Sequence, residues 1–580
     1  MLTRIKFVFG LLFILLISNE AVSQNLLPEK LKFKPGDNPQ WAIPEFDDTP
    51  WAEIMPGQVW ERQGYATLDG FAWYRITINI PSRLRKDAGN YGGFILSLGK
   101  IDDADQTFFN GKLLGKTGEL PPNYSGQHNT LRAYSILPEM VRWDQPNTIA
   151  VRVYDHGGDG GIYASPIHLI VRGLSDHIDI AAVFSQNDRV VTGKPEMSIP
   201  LQIYNTSNRN FRGALSIIVV SDFGDLAYSG QQNIIIRRGP RNKVSFTLPA
   251  IEPGFYKANI RFESELASKQ AEIMFGYEPE KIVSPPNPQP DFDLYWQRAK
   301  RELAAVDPQY RMIRIDSLCT ERREVFLVEM RSLGNVLVRG WYSRPVASGT
   351  YPAVLQVQGY GTTMSPAYID YGDDIIGFGL NIRGHGNSKH NVNPGFPGYI
   401  LHSLHDKEMY IYRGAYMDCI RAVDFLFSRP EVDTTRVAVE GASQGGALSF
   451  ATAALDNERI KVCVPQVPFL ADFEDYFKTT VWPANEFINL VESQKKLSWE
   501  QVFYTLSYID IKNLAGLIKA PMLMGVGLKD EICPPHINFA AYNLVNAPKQ
   551  YIVYPFAGHA LPNEFHFMKM NFIRKHFGLK

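Results

Sequence analysis

Val437-Ala438-Val439-Glu440-Gly441-Ala442-Ser443-Gln444-Gly445-Gly446-Ala447-Leu448-Ser449-Phe450-Ala451 passes from a short apolar run, through a serine set among three glycines, into a run of helix formers. The first run has the length and β-branched content of a buried strand, and the last has the Ala- and Leu-rich content of a helix. Between them lies Gly441-Ala442-Ser443-Gln444-Gly445, a G-x-S-x-G element. Alone this spacing recurs by chance, because it fixes only three common residues. Between a strand and a helix it describes a sharp turn that holds a serine clear of the chain. Glycine suits both the strained backbone and the close packing around it. The helix N-terminus behind the serine favours negative charge developing nearby.

A serine hydroxyl is a poor nucleophile until a base removes its proton, so partners are required. In this setting an acid and then a histidine follow the serine, each at the C-terminal end of a later strand. Asp530 follows the run 521–525 through Gly527-Leu528-Lys529, and His559 follows the run 551–554 through Pro555-Phe556-Ala557-Gly558. The expected roles are Ser443 as nucleophile, His559 as general base and then acid, and Asp530 as holder of the imidazole tautomer. An anionic intermediate needs two converging N–H donors. The backbone N–H of Gln444 is one candidate. That of Tyr360, in Gln358-Gly359-Tyr360-Gly361 after the apolar run 353–357, is the other.

Outward from this centre, a helical stretch over 292–305 leads into strands near 325–330 and 336–342. Short apolar strands at 353–357, 375–382, 436–440, 460–464, 521–526 and 551–554 then alternate with helices. That grammar predicts a mostly parallel sheet covered by helices on both faces. With the serine turn it gives an α/β-hydrolase domain over residues 279–580. A Pro-rich link, Ser284-Pro285-Pro286-Asn287-Pro288-Gln289-Pro290, stiffens its entrance.

Upstream the pattern is all-β. Phe71-Ala72-Trp73-Tyr74-Arg75-Ile76-Thr77-Ile78-Asn79-Ile80-Pro81 alternates at period two, as a half-buried strand does. Asn110-Gly111, between Thr107-Phe108-Phe109 and Lys112-Leu113-Leu114, suits the positive φ angles of a type I′ hairpin turn. Residues 24–173 read as one β-sandwich. Residues 174–278, with Pro200-Leu201-Gln202-Ile203-Tyr204 and Lys243-Val244-Ser245-Phe246-Thr247-Leu248, read as a second, immunoglobulin-like sandwich acting as a spacer. The expected fold class is therefore multidomain: two N-terminal β-sandwiches followed by a C-terminal α/β-hydrolase domain.

Arg4 and Lys6 precede an apolar run to Ser18, and small residues follow up to Ser23. This is the grammar of a signal peptide over residues 1–23, and it implies export to the periplasm or the medium. An uncleaved anchor is the alternative, and no later segment is apolar enough to span a membrane. With 580 residues, 45% hydrophobic, 21% charged and a formal net charge of −1, the chain lacks the basic excess expected of a nucleic-acid partner. Its 12% aromatic content suits packing within sandwiches or sugar stacking in a groove. Cys319, Cys419, Cys463 and Cys533 show neither paired spacing nor histidine clustering. No metal and no cofactor is expected from them.

Two resemblances extend this reading. On Trp73-Tyr74-Arg75, Ile101-Asp102-Asp103-Ala104-Asp105, Asn110-Gly111 and Gly157-Gly158-Asp159-Gly160-Gly161-Ile162, residues 24–173 resemble a jelly-roll domain. Such sugar-binding-type domains open family 2 glycoside hydrolases and sialate O-acetylesterases. From about residue 286 onward the chain resembles the acetyl xylan esterase/cephalosporin-C deacetylase family of carbohydrate esterases. That likeness is carried by Asp291-Phe292-Asp293-Leu294-Tyr295-Trp296, Gln358-Gly359-Tyr360, Arg383-Gly384-His385, Tyr412-Arg413, Gly441-Ala442-Ser443-Gln444-Gly445-Gly446 and Gly527-Leu528-Lys529-Asp530-Glu531-Ile532-Cys533-Pro534-Pro535. It implies removal of acetyl groups from oxygen on xylan, xylo-oligosaccharides or small acetylated compounds, and a compact homo-oligomer.

The chain departs from the family pattern in three places. His385 stands at a Gln position, Ala560 at a Glu position after the histidine, and His536-Ile537 at a Ser-Thr position. His385 reads either as a donor beside the site or as a histidine supporting its loop. Arg383, the other candidate for supporting the site, reads as an ion-paired or loop-bracing residue ahead of a substrate contact. His536 reads as bordering the acid loop or facing solvent. The leading expectation is an exported carbohydrate O-acetyl esterase acting on an acetylated carbohydrate. The alternatives are an α/β-hydrolase acting on other esters or peptides, and an inactive glycan-binding protein.

Overall fold

The computed structural model describes residues 25–193, 196–365 and 372–579, so the leader expected at residues 1–23 lies outside the described residues. Among them no helix is long and apolar enough to cross a membrane.

In the first region a six-stranded sheet faces a three-stranded one. The six strands run, in spatial order, Ala52–Ile54, Leu31–Pro35, Gly70–Asn79, Pro146–Asp155, Ala104–Phe109 and Lys112–Thr117. The facing strands are Leu131–Ile136, Phe94–Asp102 and Gly161–Val171. Tyr74, Ile76, Val151 and Val153 from one sheet meet Leu96, Leu98 and Leu169 from the other in a shared apolar core. Asn110 and Gly111 take φ values of 48° and 79° at the hairpin turn, as their sequence requires. Gly70–Asn79 departs from the half-buried expectation, because residues 72–76 are all buried. Its outer face is roofed by Trp41 and Trp51 packed on Trp73, and the Arg75 guanidinium is bonded to Asp48 and to the carbonyls of Ile43 and Phe46. Trp41, Trp51, Trp60 and Trp73 are all buried, so these rings serve packing.

In the second region the strands Ile178–Ala182, Met197–Asn205 and Gly239–Leu248 form one sheet. The strands Val190–Val191, Ser268–Tyr277, Gly254–Ser264, Phe211–Ser221 and Leu226–Ile236 form another. Ile199, Leu201 and Ile203 pack against Leu215, Ile217, Ile260 and Phe275 in a second core.

The C-terminal region holds a nine-stranded sheet, labelled from its own start: β1 (Arg311–Arg314), β2 (Arg323–Ser332), β3 (Val336–Pro345), β4 (Tyr351–Val357), β5 (Ile376–Asn381), β6 (Val432–Ala442), β7 (Val462–Gln466), β8 (Met522–Gly527) and β9 (Lys549–Tyr554). Their spatial order is β1-β2-β3-β5-β4-β6-β7-β8-β9. β1 to β3 pair antiparallel, and everything from β5 to β9 is parallel. β5 and β8 are buried at every position, as strands covered on both faces must be. The helices used below are α1 (Phe292–Ala304), α2 (Ile411–Phe427), α3 (Gln444–Leu455) and α4 (Pro535–Tyr542). All twelve residues of α3 are buried, which explains why its sequence is apolar all round.

The second region is not a detached spacer. Phe255 packs on Phe539 of α4 with ring centroids 5.4 Å apart. Asp222 binds His536 Nδ1 at 2.9 Å, while His536 Nε2 faces Asp475 at 3.5 Å. His536 is therefore buried between the two regions, not facing solvent. Burial alone would lower its pKa, but the hydrogen bonds and charges of Asp222 and Asp475 outweigh it and raise the imidazole to about 9. Asp475 is held at about 2, first by its hydrogen bond from His536 and further by Lys478. Phe223 lies edge-on to the ring, and nearby Asp472 is paired with Lys512 at 2.7 Å.

A histidine whose pKa rises on folding stabilises fully below its unfolded value near 6.5, and that contribution is lost as pH climbs through about 9. Asp475 works in the opposite sense, and its share is lost only as pH falls through about 2. Melting curves of the full chain and of His536→Ser are expected to differ most near neutral pH and below it, and to converge above pH 9. A gap independent of pH would show that the imidazolium does not hold the two regions together.

Candidate active site

β6 ends in the serine turn because two backbones pass almost in contact there. A Cβ on Gly445 would sit 2.2 Å from the carbonyl oxygen of Val357, the last residue of β4. Only glycine fits, and the turn is thereby pressed against the strand that leads to the Tyr360 loop. Ser443 takes φ 60° and ψ −120°, a backbone state that L-residues avoid and that here lifts its side chain off the sheet. Its N–H donates to Gln466 O at 2.9 Å, and its carbonyl accepts from Ala447 in the first turn of α3.

The other two expected residues arrive from β8 and β9. A Cβ on Gly527, at the end of β8, would lie 2.2 Å from Gly558 O, so the loops carrying Asp530 and His559 touch through a glycine. His559 Nδ1 meets Asp530 Oδ2 at 2.9 Å and Oδ1 at 3.1 Å. The same carboxylate accepts the backbone N–H groups of Ile532 and Cys533 at 2.9 and 2.8 Å, which fix its orientation. The Asp530 side chain is fully buried, whereas that of His559 is 28% exposed, so the carboxylate is sheltered and the imidazole is open to solvent. Ser443 and His559 border one cavity of about 320 Å3, together with Gly359, Tyr360, Phe469, Trp482, Pro483 and Ile532.

A family model described as acetyl xylan esterase (AXE1) matches residues 277–576, more than half of the chain. The chain belongs to the acetyl xylan esterase family. It is a carboxylic ester hydrolase. Acetyl esterase Axe7A of Xylanibacter ruminicola is 28% identical over 338 residues, covering 56% of this chain and 75% of that protein. Acetyl xylan esterase 1 from Thermoanaerobacterium sp. JW/SL YS485 is 30% identical, covering 52% of this chain and 97% of that one, with a TM-score of 0.48. An acetyl xylan esterase from Paenibacillus sp. R4 is also 30% identical, covering 51% of this chain and 98% of that one, with a TM-score of 0.49.

Of the remaining site candidates of this esterase, Tyr360 borders the cavity and the others lie behind it. The Tyr360 hydroxyl donates to Pro397 O at 2.5 Å and accepts from Ile400 N at 3.2 Å, which anchors its ring. Gln444, at the start of α3, is fully buried and its Oε1 accepts from the Tyr412 hydroxyl at 2.8 Å. His385 accepts the Gly361 N–H at Nε2, 3.3 Å away, and lies 3.4 Å from Gln444 Nε2. Burial pushes its pKa down to about 4, so it is neutral at neutral pH and can accept at Nε2. The structure thus puts His385 beneath the loop 359–361, tying it to the serine turn, and not among the groups lining the Ser443 cavity. Arg383 is held further back by Asp418 of α2, with Nη2–Oδ1 at 2.7 Å and Nε–Oδ2 at 2.9 Å, and Nη2 also donates to Leu333 O.

Sequence reading missed Phe469, Trp482, Pro483 and Ile532 as cavity walls. They come from loops after β7 and β8, and no spacing rule links them to the serine. Two groups could hold a metal ion among the described residues: Asp102, Asp103 and His128 in the first region, and Asp472, Asp475 and His536 at the junction. Neither contributes a residue to the Ser443 cavity. All four cysteines are free thiols.

Removing Asp418 would leave the Arg383 guanidinium buried and unpaired, a loss of about 3–5 kcal/mol for such a pair. Urea unfolding of Asp418→Ala is expected to show a drop of that order, and a change under ~1 kcal/mol would mean that the pair is not a brace.

Proposed function

We propose that this chain is an exported serine carbohydrate esterase that removes O-acetyl groups from an acetylated polysaccharide or oligosaccharide of xylan type. The observation that carries the reading is the Asp530–His559 pair at 2.9 Å on the rim of the cavity that also holds Ser443. Ser443 Oγ attacks the acetyl carbonyl and its proton passes to His559 Nε2, while Asp530 stabilises the imidazolium. The N–H groups of Gln444 and Tyr360 receive the oxyanion. Collapse breaks the bond from the acetyl carbon to the sugar oxygen, which takes the proton from His559 and departs as the free hydroxyl, leaving an acetyl-serine. Water, deprotonated by His559, then attacks the acetyl-serine and releases acetate and the free serine. A cavity of about 320 Å3 lies at the small end of ligand pockets and suits an acetyl group with the sugar ring that bears it.

In the same reading the chain is organised as a leader over residues 1–23, β-sandwiches over 24–173 and 174–278, and the hydrolase domain over 279–580. The separate apolar cores of the two N-terminal regions support the two sandwiches. The jelly-roll likeness supports the first as a sugar-binding-type domain, and the charged and apolar leader supports export to the periplasm or the medium. Homo-oligomerisation is carried over from the family resemblance and is measured by solution mass.

Ser443→Ala is expected to fold normally and to lower acetate release from acetylated xylan by about a millionfold in turnover, the scale set by serine removal in subtilisin. Acetate release assayed beside circular dichroism checks this. A variant keeping a tenth or more of the activity would overturn the assignment.

A further inference from the structure

The second N-terminal region does more than dock: we propose that it forms one wall of a glycan-binding cleft that continues the Ser443 cavity, so that a neutral sugar chain lies between it and the acid loop. This rests on the carbohydrate-esterase reading and extends it to the part of the substrate away from the acetyl group.

The geometry is that of two joined spaces. Beside the Ser443 cavity lies a second one of about 640 Å3, twice as large. Trp482 and Ile532 line both, so the two meet along those side chains. One wall of the larger space is made by the 220–224 turn and by Tyr256, Lys257, Glu272 and Met274 of the second region; the opposite wall is residues 528–535, the loop that carries Asp530. A chain held there by its unreacted sugars reaches the serine with its acetylated one.

The wall is held in register with the catalytic loops at two points. Asp222 grips His536, directly after Pro534-Pro535 of the acid loop. On the other side the Arg189 guanidinium lies over the Phe556 ring, 4.4 Å from its centroid, three residues before His559. Small gaps between domains are common, but this one is bounded by the loop that carries Asp530 and shares Trp482 and Ile532 with the cavity of Ser443 and His559. His536 is one of the positions at which this chain departs from the family pattern, and its burial against Asp222 gives that departure a purpose: it seats the added wall.

The chemistry of the lining selects the ligand. Lys257 and Glu272 face each other at 3.2 Å, with side chains 38% and 51% exposed, and offer donors and acceptors to hydroxyl groups. Asp222 is neutralised by His536, and Asp530 is engaged by His559. Lys529 and Glu531 remain, one charge of each sign. Such a lining, with no cationic excess, suits an uncharged polyhydroxylated chain and gives a polyanion no net attraction. Trp482, half-buried at the junction, presents an apolar face for a sugar ring.

The test uses the full chain with acetylated xylose and acetylated xylohexaose as substrates. For the unmutated enzyme kcat/KM is expected to be higher on the hexasaccharide than on the monosaccharide. In Lys257→Ala/Glu272→Ala that ratio is expected to fall about tenfold, through KM, the equivalent of one or two lost hydrogen bonds, with an unchanged melting temperature. Acetate release from both substrates with no gain from chain length, or a ratio unmoved by the double substitution, would overturn the cleft and leave the esterase reading standing. Activity on 4-nitrophenyl acetate with none on either sugar would overturn both.

Discussion

At the centre of this molecule two backbones touch. The carbonyl of Val357 at the end of β4 lies where a Cβ on Gly445 would have to be, and from that contact the rest of the site is positioned. Because β4 and β6 are adjacent parallel strands, their C-terminal ends open on the same edge of the sheet. The glycine lets the serine turn settle against β4, which brings the 359–361 loop beside Ser443. Were any side chain placed there, strand and turn would separate and the 359–361 loop would draw away from Ser443. The positive φ of Ser443 is the strained state that this packing sustains.

Around that contact the protein builds support in layers. His385, kept neutral by burial, joins the 359–361 loop to Gln444, and the Arg383–Asp418 pair fixes the segment after β5 to α2. Beneath the turn, Glu440 of β6 accepts from Gln356 and is paired with Lys569 at 2.6 Å, so its buried carboxylate is compensated. On the far side of the cavity the loops carrying Asp530 and His559 touch at Gly527 and Gly558. Gln356, Glu440, Lys569, Arg383 and Asp418 are bonded in pairs or networks, which preserves the geometry of a site built on loops.

Much of this was legible in the residues. The G-x-S-x-G element between an apolar β-branched run and an Ala- and Leu-rich run has one structural reading, and the order of serine, acid and histidine follows from the topology of a parallel sheet. Asp530 and His559 could be found because each falls a few residues beyond a short apolar strand. The N-terminal strands were visible from alternation and from Asn110-Gly111. Gly70–Asn79 misled only in its burial, because the tryptophan roof over its outer face is assembled from residues 41 and 51, which local periodicity cannot report.

The sequence by itself determined the serine turn, the strand-to-loop positions of its partners and the all-β character of the first half. These depend on local backbone preference and on periodicity, which are written residue by residue. Only the tertiary structure decided the cavity walls, the loop-bracing place of His385, and the docking of the second region through Asp222 and His536, 314 residues apart. Those are matters of which distant surfaces meet. A hydrogen bond or an ion pair between residues far apart in the chain leaves no period behind, and the burial that lowers one histidine pKa and the carboxylates that raise another exist only once the chain has folded around them.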